Sequence, residues 1–93
     1  MLLRSASTAL ETALARYGFE FVSELYEIET IARGKGVQQR AFLNRKFGRG
    51  RWRKMKGKAI IKYSNGKVTE AEIHWFEAHG IGRVLEKSIH DFE

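Results

Sequence analysis

Apolar residues in the first segment of the chain recur at helical spacing. Between residues 3 and 17 they return every three or four positions, as expected for an amphipathic helix. Either Ser5 or a capping box of Thr8 and Glu11 would begin this helix, and Gly18 is placed to end it. The pattern predicts an N-terminal helix that covers one face of a sheet.

The next segment, residues 19–32, fits two kinds of secondary structure. Its apolar residues at helical spacing are Phe21, Leu25, Ile28 and Ala32. Its alternation of apolar and polar residues, which would indicate a strand, is looser. We therefore predict a helix from Phe21 to Ala32, with a strand as the alternative.

Glycines divide the centre of the chain. Gly34 and Gly36 predict a break, after which residues 37–47 return to a helical pattern of one or two turns. Residues 48–57 contain a tryptophan and five basic side chains among ten positions. This composition predicts an exposed basic loop with one aromatic residue inside it.

The C-terminal part, residues 58–92, has the pattern of an antiparallel sheet. The dipeptide Asn65–Gly66 is a strong hairpin signal, because both residues tolerate the positive φ angles of a two-residue type I′ turn. A second turn is predicted at Gly80–Gly82, and a third strand over Val84–Phe92. The three strands would form a meander.

A two-residue turn also predicts the register of the first hairpin. It pairs Ile60 with Ala71 and Ile61 with Glu70, so that Ala71 shares a face with Ile60. Glu70 and Glu72 then share the opposite face with Ile61. Because neither face would be purely polar, we expect both to be partly covered.

Together these elements predict one α+β domain over residues 1–93, a length that suits a single domain. Residues 1–47 would be mainly helical, residues 48–57 a basic loop and residues 58–92 an antiparallel sheet. The N-terminal helices would pack on a C-terminal three-stranded antiparallel β-meander. An SH3-like curled sheet is a variant of the same prediction.

Charge is distributed unevenly along this chain, which has 17 basic and 11 acidic residues and a net charge of +6. Residues 33–68 contain no acid, whereas residues 1–32 and 69–93 are net acidic. The basic residues of the central segment are Arg33, Lys35, Arg40, Arg45, Lys46, Arg49, Arg51, Arg53, Lys54, Lys56, Lys58, Lys62 and Lys67. Such a segment predicts a polyanionic partner, because phosphates offset the repulsion and release condensed counterions when they are neutralised.

The basic segment therefore predicts a nucleic-acid interface, with an acidic protein as the alternative partner. RNA is favoured over duplex DNA, because no helix-turn-helix pattern is visible and Trp52 could stack on an unpaired base. For Trp52 the alternative role is an anchor in the core. The predicted contacts are Arg45, Lys46, Arg49, Arg51, Trp52, Arg53, Lys54, Lys56 and Lys58.

A second set of residues suggests chemistry on a phosphodiester. A metal-independent ribonuclease needs a general base, a general acid and a cation on the phosphate. The candidates are Glu72, His74, His79 and Arg83, and strand alternation places Glu72 and His74 side by side. The alternative is that the histidines are structural, so binding is the first hypothesis and ribonuclease activity the second.

Other classes of site are not supported by the sequence. The absence of cysteine excludes disulfides and thiolate metal sites. Alternation would direct His74 away from Glu77 and His79, so no metal site is predicted. No dinucleotide fingerprint or P-loop is present, so no cofactor is predicted. No apolar stretch approaches the roughly 20 residues of a membrane span, and we expect a cytoplasmic protein. The pattern gives no oligomeric state.

Overall fold

The computed structural model describes residues 18–92, in which five strands form one antiparallel sheet beside one short α-helix. In chain order the elements are β1 (Phe19–Phe21), β2 (Tyr26–Arg33), a single 3₁₀ turn (Gly34–Gly36), α1 (Arg40–Phe47), β3 (Arg53–Tyr63), β4 (Val68–Ala78) and β5 (Gly82–Asp91). β3 pairs with β4, and β4 pairs with β5. The outer edge of β3 is shared by β1 and β2, which follow one another along it.

The predicted packing of N-terminal helices on a three-stranded meander is wrong. Strands account for 57% of the described residues and the sheet is curled, so the fold is mostly β. Residues 21–32, predicted as a helix, instead contain the last residue of β1, the connection to β2 and most of β2. Aromatic and β-branched residues such as Tyr26, Ile28 and Thr30 suit a strand, and β3 supplies the hydrogen-bonding edge. The helix predicted over residues 3–17 lies outside the described residues.

Asn65 and Gly66 do form a hairpin turn, but the loop has three residues. The Gly66 amide donates to the Tyr63 carbonyl at 2.9 Å, and the Tyr63 amide donates to the Lys67 carbonyl at 2.8 Å. Gly66 has a φ of +92°, as in a type I turn followed by a left-handed glycine. The additional residue shifts the register by one, so that Ala71 pairs with Ala59 and not with Ile60. The predicted assignment of faces is therefore wrong, since a one-residue shift exchanges them.

The observed register gives the sheet one apolar face and one polar face. The buried residues of the apolar face are Phe19 of β1, Met55, Ala59 and Ile61 of β3, and Thr69, Ala71, Ile73 and Trp75 of β4. The alternate positions of β3 and β4 are mainly lysine, glutamate and histidine. We call the surface that carries them the polar face.

A second core lies at the end of the polar face where β3 begins and β4 ends. Its buried members are Val37, Leu43, Trp52 and Ala78. Leu43 comes from α1, and Phe76 of β4 packs against the cluster. The second core therefore covers this end of the polar face. The predicted basic loop is shorter than expected, because β3 begins at Arg53 and leaves only residues 48–52 outside regular structure.

Candidate nucleic-acid interface

The basic segment divides into residues that meet acids and residues that do not. Within residues 18–92, acids of the two flanks fold back onto β3 and the hairpin turn and form ion pairs with four cations. These pairs are Arg53 with Glu77 at 2.7 Å, Lys58 with Glu27 at 2.6 Å, Lys56 with Glu29 at 3.6 Å and Lys67 with Asp91 at 3.5 Å. The sheet therefore neutralises a part of the excess positive charge.

A group of exposed arginines lies at one end of the sheet. Its members, which we call the arginine end, are Arg33, Arg40, Arg45, Arg49 and Arg51. None of the five forms an ion pair with an acidic residue within residues 18–92. They surround two adjoining depressions of about 520 Å³ each, which share Arg40 and Gly50. Among the described residues, no acid lines either depression.

The loop that carries two of these arginines is fixed to α1 by Asn44. The Trp52 indole N–H donates to Asn44 Oδ1 at 3.0 Å and to the Gly48 carbonyl at 3.2 Å. The Gly50 amide donates to the same Asn44 oxygen at 3.3 Å. Trp52 itself is 0% exposed, so its ring is an anchor of the core and cannot stack on a base.

Gly48 and Gly50 also determine how this loop lies against α1 and β4. Gly48 has a φ of +116°, a conformation that side chains rarely adopt, and it follows the last residue of α1. A Cβ atom on Gly50 would lie 2.9 Å from Cβ of Ala78 and 3.4 Å from Cδ1 of Ile81. Arg49 and Arg51 therefore flank a residue that is pressed against the end of β4.

The remaining predicted contacts occupy different places. Arg45, Lys46, Arg49 and Arg51 are exposed. Arg53 lines the same depression as Arg51, but its guanidinium group is bound to Glu77 at 2.7 Å. The side chains of Lys54, Lys56 and Lys58 lie on the polar face, and the last two are paired with acids. The nine predicted contacts therefore do not form one surface.

Arg33 and Arg40 were missed as individual contacts by the sequence reasoning. Both belong to the acid-free segment, but they lie at the end of β2 and the start of α1. Their positions in the sequence gave no indication that they share a depression with Arg51. His79 lines the same depression, although the sequence reasoning grouped it with His74.

The four catalytic candidates do not converge. His79 lies at the arginine end, whereas Nε of Arg83 is 3.5 Å from Glu86 beside a separate depression. Only Glu72 and His74 are together, with Nε2 of His74 2.6 Å from Oε2 of Glu72. Within residues 18–92, no three histidine or acidic side chains form a group that could hold a metal ion.

The pKa of the Glu72 carboxyl group is shifted by its neighbours. The hydrogen bond from His74 holds the pKa of Glu72 below its ordinary value. Partial burial raises this pKa, and nearby Lys56 and His90 lower it. The carboxylate is therefore ionised at neutral pH.

Glu86 is a buried carboxyl group that the sequence reasoning did not identify. Its side chain is 11% exposed, and burial raises its pKa above the ordinary value although Arg83 opposes the shift. Its Oε2 atom accepts no hydrogen bond from the described residues. An irregularity in β5 explains why the pattern gave no signal, since Leu85, with a φ of +54°, interrupts the alternation just before Glu86.

Comparison with known proteins identifies no relative of this chain. No protein-family model matches it, and neither a curated protein nor a solved structure shows significant similarity. Within residues 18–92, no helix is long and apolar enough to cross a membrane.

Proposed function

We propose that the chain is a nucleic-acid-binding domain that holds phosphates with the arginine end. The proposal rests on one observation: five exposed arginines surround two adjoining depressions, and none of them forms an ion pair with an acidic residue within residues 18–92. Like charges at this density repel one another unless anions lie between them. Phosphate oxygens suit the site because the planar guanidinium group can donate two parallel hydrogen bonds to them.

The fixed loop supports specific phosphate binding. Asn44 and the packing of Gly50 hold the backbone between Arg49 and Arg51 before any ligand is present. A site that is ordered in advance loses less conformational freedom on binding. The arginine end therefore has the character of a prepared anion site, in contrast to that of a flexible basic tail.

RNA with unpaired bases is the proposed partner class. The single α-helix of the described residues has eight residues and lacks the second helix of a helix-turn-helix reader. Trp52 is buried, but Phe42 is 39% exposed on α1, with the Lys46 ammonium 5.6 Å from the centre of its ring. An exposed ring near Arg45 can stack on an unpaired base while the arginine contacts the backbone.

The test is the salt dependence of RNA binding, measured by fluorescence anisotropy with a labelled single strand of about 16 nucleotides. About five phosphate contacts predict a slope of about −3.5 for log affinity against log salt. Between about 50 and 200 mM salt, the affinity should fall about a hundredfold. An affinity that barely changes over this range would contradict phosphate binding.

Two matched variants test whether the arginine end contacts the RNA. Arg51→Gln should weaken binding and reduce the slope by about 0.7, the value for one contact on a single strand. Lys62→Gln removes the same charge from an exposed position of β3 away from the arginine end and should have a much smaller effect. Equal losses for both variants would show that net charge, and not the arginine end, drives binding. Equal affinity for a polyglutamate peptide would favour an acidic protein partner and overturn the proposal.

A further inference from the structure

The last strand of the sheet, β5, contains two β-bulges. At the first bulge Ile89 has no partner in β4, and at the second Leu85 and Glu86 together oppose Trp75. An additional residue in one strand of an antiparallel pair changes the direction of the side chains around it. The bulges, and not regular alternation, therefore determine where the side chains of Leu85 and Ile89 lie.

Both bulges bring an apolar side chain to the same depression. Leu85 and Ile89 line a depression of about 250 Å³ beside β5, and these residues are 39% and 47% exposed. Lys54 and His74 of the polar face line it as well. At this point two exposed aliphatic side chains therefore lie beside the lysine and histidine residues of the polar face.

The backbone of Leu85 is strained. Its φ is +54°, in the left-handed region that leucine rarely occupies. Residues are held in such conformations only where the surrounding structure enforces them, and these positions cluster at binding and active sites. Because Leu85 is 39% exposed, burial in the core does not account for its conformation. A ligand that packs on its side chain would account for it.

The charge at this depression is positive. Lys54 and Lys87 line it, and neither forms an ion pair with an acid within residues 18–92. The Lys54 ammonium is 6.0 Å from the centre of the Phe76 ring, which lines the same depression. No acid among the described residues lines it. Apolar walls beside two cations suit a ligand with a flat apolar body and a negative group, and a nucleotide has both.

This depression adjoins the arginine end. Gln39 lines it, and the next residue in the chain is Arg40, which lines both depressions of the arginine end. A single strand of nucleic acid held by the arginines can therefore continue past Gln39 onto the polar face. The same partner can reach both places without a rearrangement of the sheet.

We propose that this depression binds a base of a single-stranded RNA. The apolar face of the base packs against Leu85 and Ile89, and the adjoining phosphates contact Lys54 and Lys87. Since every base has such a face, the site accepts any base. This inference rests on the proposed function, because it takes RNA held by the arginine end as the partner. It adds a base contact on β5 to the exposed Phe42 ring of α1.

Two strands with the same backbone distinguish contact with bases from contact with phosphates. The first is an oligouridine of about 16 nucleotides, which forms little structure of its own. The second is the same ribose-phosphate chain without bases. Both carry a fluorescent label, and the affinity of the protein for each is measured by anisotropy at one salt concentration. The wild-type protein should bind oligouridine more tightly than the abasic strand.

A double variant with Leu85→Asn and Ile89→Thr tests the apolar contact. It preserves the backbone preferences, because asparagine tolerates a positive φ and threonine is branched at Cβ. Its affinity for oligouridine should fall about tenfold, near the lower end of the effect of removing a stacked side chain, while its affinity for the abasic strand changes less than about twofold. Val68→Thr is the matched control, at a 51% exposed position where β4 begins, and should change neither affinity. Circular dichroism reports whether each variant is folded.

A second measurement uses the wild-type protein and does not depend on how the variants fold. In ¹H–¹³C NMR spectra, the methyl signals of Leu85 and Ile89 should shift when oligouridine is added, because the ring of a bound base changes the magnetic field at these groups. The abasic strand should leave the same signals nearly in place. The methyl signals of Val68 should respond to neither strand.

The outcomes separate this inference from the proposed function. A folded double variant that loses affinity equally for both strands, or for neither, would overturn the base site. Methyl signals of Leu85 and Ile89 that do not move with oligouridine would also overturn it. In each case, salt-dependent binding that Arg51→Gln weakens would leave the binding proposal standing. Absence of binding to either strand by the wild-type protein would overturn both proposals.

Discussion

The indole N–H of Trp52 donates a 3.0 Å hydrogen bond to the side-chain oxygen of Asn44. The same oxygen accepts the Gly50 amide at 3.3 Å, so one residue of α1 fixes both the anchor and the tip of the 48–52 loop. The Asn44 side chain therefore helps to attach the exposed arginines of this loop to the second hydrophobic core. This relationship connects the stability of the core to the geometry of the arginine end.

Asn44→Ala should destabilise the domain and weaken RNA binding. It removes an acceptor from two donors, and a lost hydrogen bond of this kind costs on the order of 1–3 kcal/mol. Urea unfolding measures the loss of stability, and anisotropy measures the loss of affinity. Gln38→Ala, at an exposed position just before α1, is the control and should change neither quantity. Unchanged stability of Asn44→Ala would show that the Gly48 carbonyl alone holds Trp52.

Gly50→Ala should displace the loop. The added Cβ atom would lie 2.9 Å from Cβ of Ala78, closer than carbon atoms approach, and overpacking of this kind costs about 1–3 kcal/mol. Gly36→Ala is the matched control, because its Cβ atom would have a nearest neighbour at 3.6 Å, Cβ of Ala32. Thermal unfolding and RNA affinity should both be lowered in Gly50→Ala and nearly unchanged in Gly36→Ala. Similar RNA affinities for Gly50→Ala and Gly36→Ala would show that the position of the loop does not affect binding.

The tryptophan fluorescence should be insensitive to RNA. Trp52 and Trp75 are 0% and 1% exposed, so neither ring can contact a base or a dissolved quencher. In the variant Trp75→Phe, Trp52 is the single emitter. Its emission should resist quenching by acrylamide and should keep its wavelength when RNA saturates the protein. A large quenching by RNA would show that the loop opens and that Trp52 stacks after all.

Glu86→Gln should stabilise the protein at neutral pH. Because burial raises the pKa of Glu86 above its ordinary value of 4.5, the folded state retains this proton to a higher pH than the unfolded state. Stability is therefore lost as the pH rises from about 4.5 through the raised pKa. A glutamine carries no charge at any pH and avoids this loss.

The melting temperature of Glu86→Gln should exceed that of the wild type at about pH 7, and the difference should disappear near pH 4. Glu24→Gln, at an exposed position between β1 and β2, should show no such pH-dependent gain. A lower melting temperature for Glu86→Gln at neutral pH would mean that the contact with Arg83 outweighs the cost of burial.

The local elements in the second half of the chain were largely predictable. The pattern predicted a hairpin at Asn65–Gly66, a second turn near Gly80 and a third strand, and all three are confirmed. The faces of the hairpin were not predicted correctly, because the sequence allows both a two-residue and a three-residue loop. The difference of one residue is decided by the hydrogen bonds between Tyr63 and Lys67 and by burial of the apolar residues on one side.

In the first half of the chain, the local pattern predicted the wrong secondary structure. Helical spacing of Phe21, Leu25 and Ile28 was misleading, because β1 and β2, which contain Phe21 and Ile28, depend on an edge supplied by β3 more than twenty positions later. A local pattern contains no information about such a partner. The pairing of Glu72 with His74, by contrast, followed from alternation alone, since adjacent alternate positions of any strand share a face.

The sequence by itself determined the separation of charge, because the order of residues along the chain places every acid outside residues 33–68. Only the tertiary structure decided which cations that separation leaves without partners. Antiparallel pairing brings Glu29 of β2 and Glu77 of β4 to Lys56 and Arg53, whereas Arg49 and Arg51 lie beyond the end of the sheet. Neutralisation depends on distances of a few ångströms between residues far apart in the chain, and these distances exist only after the strands have paired.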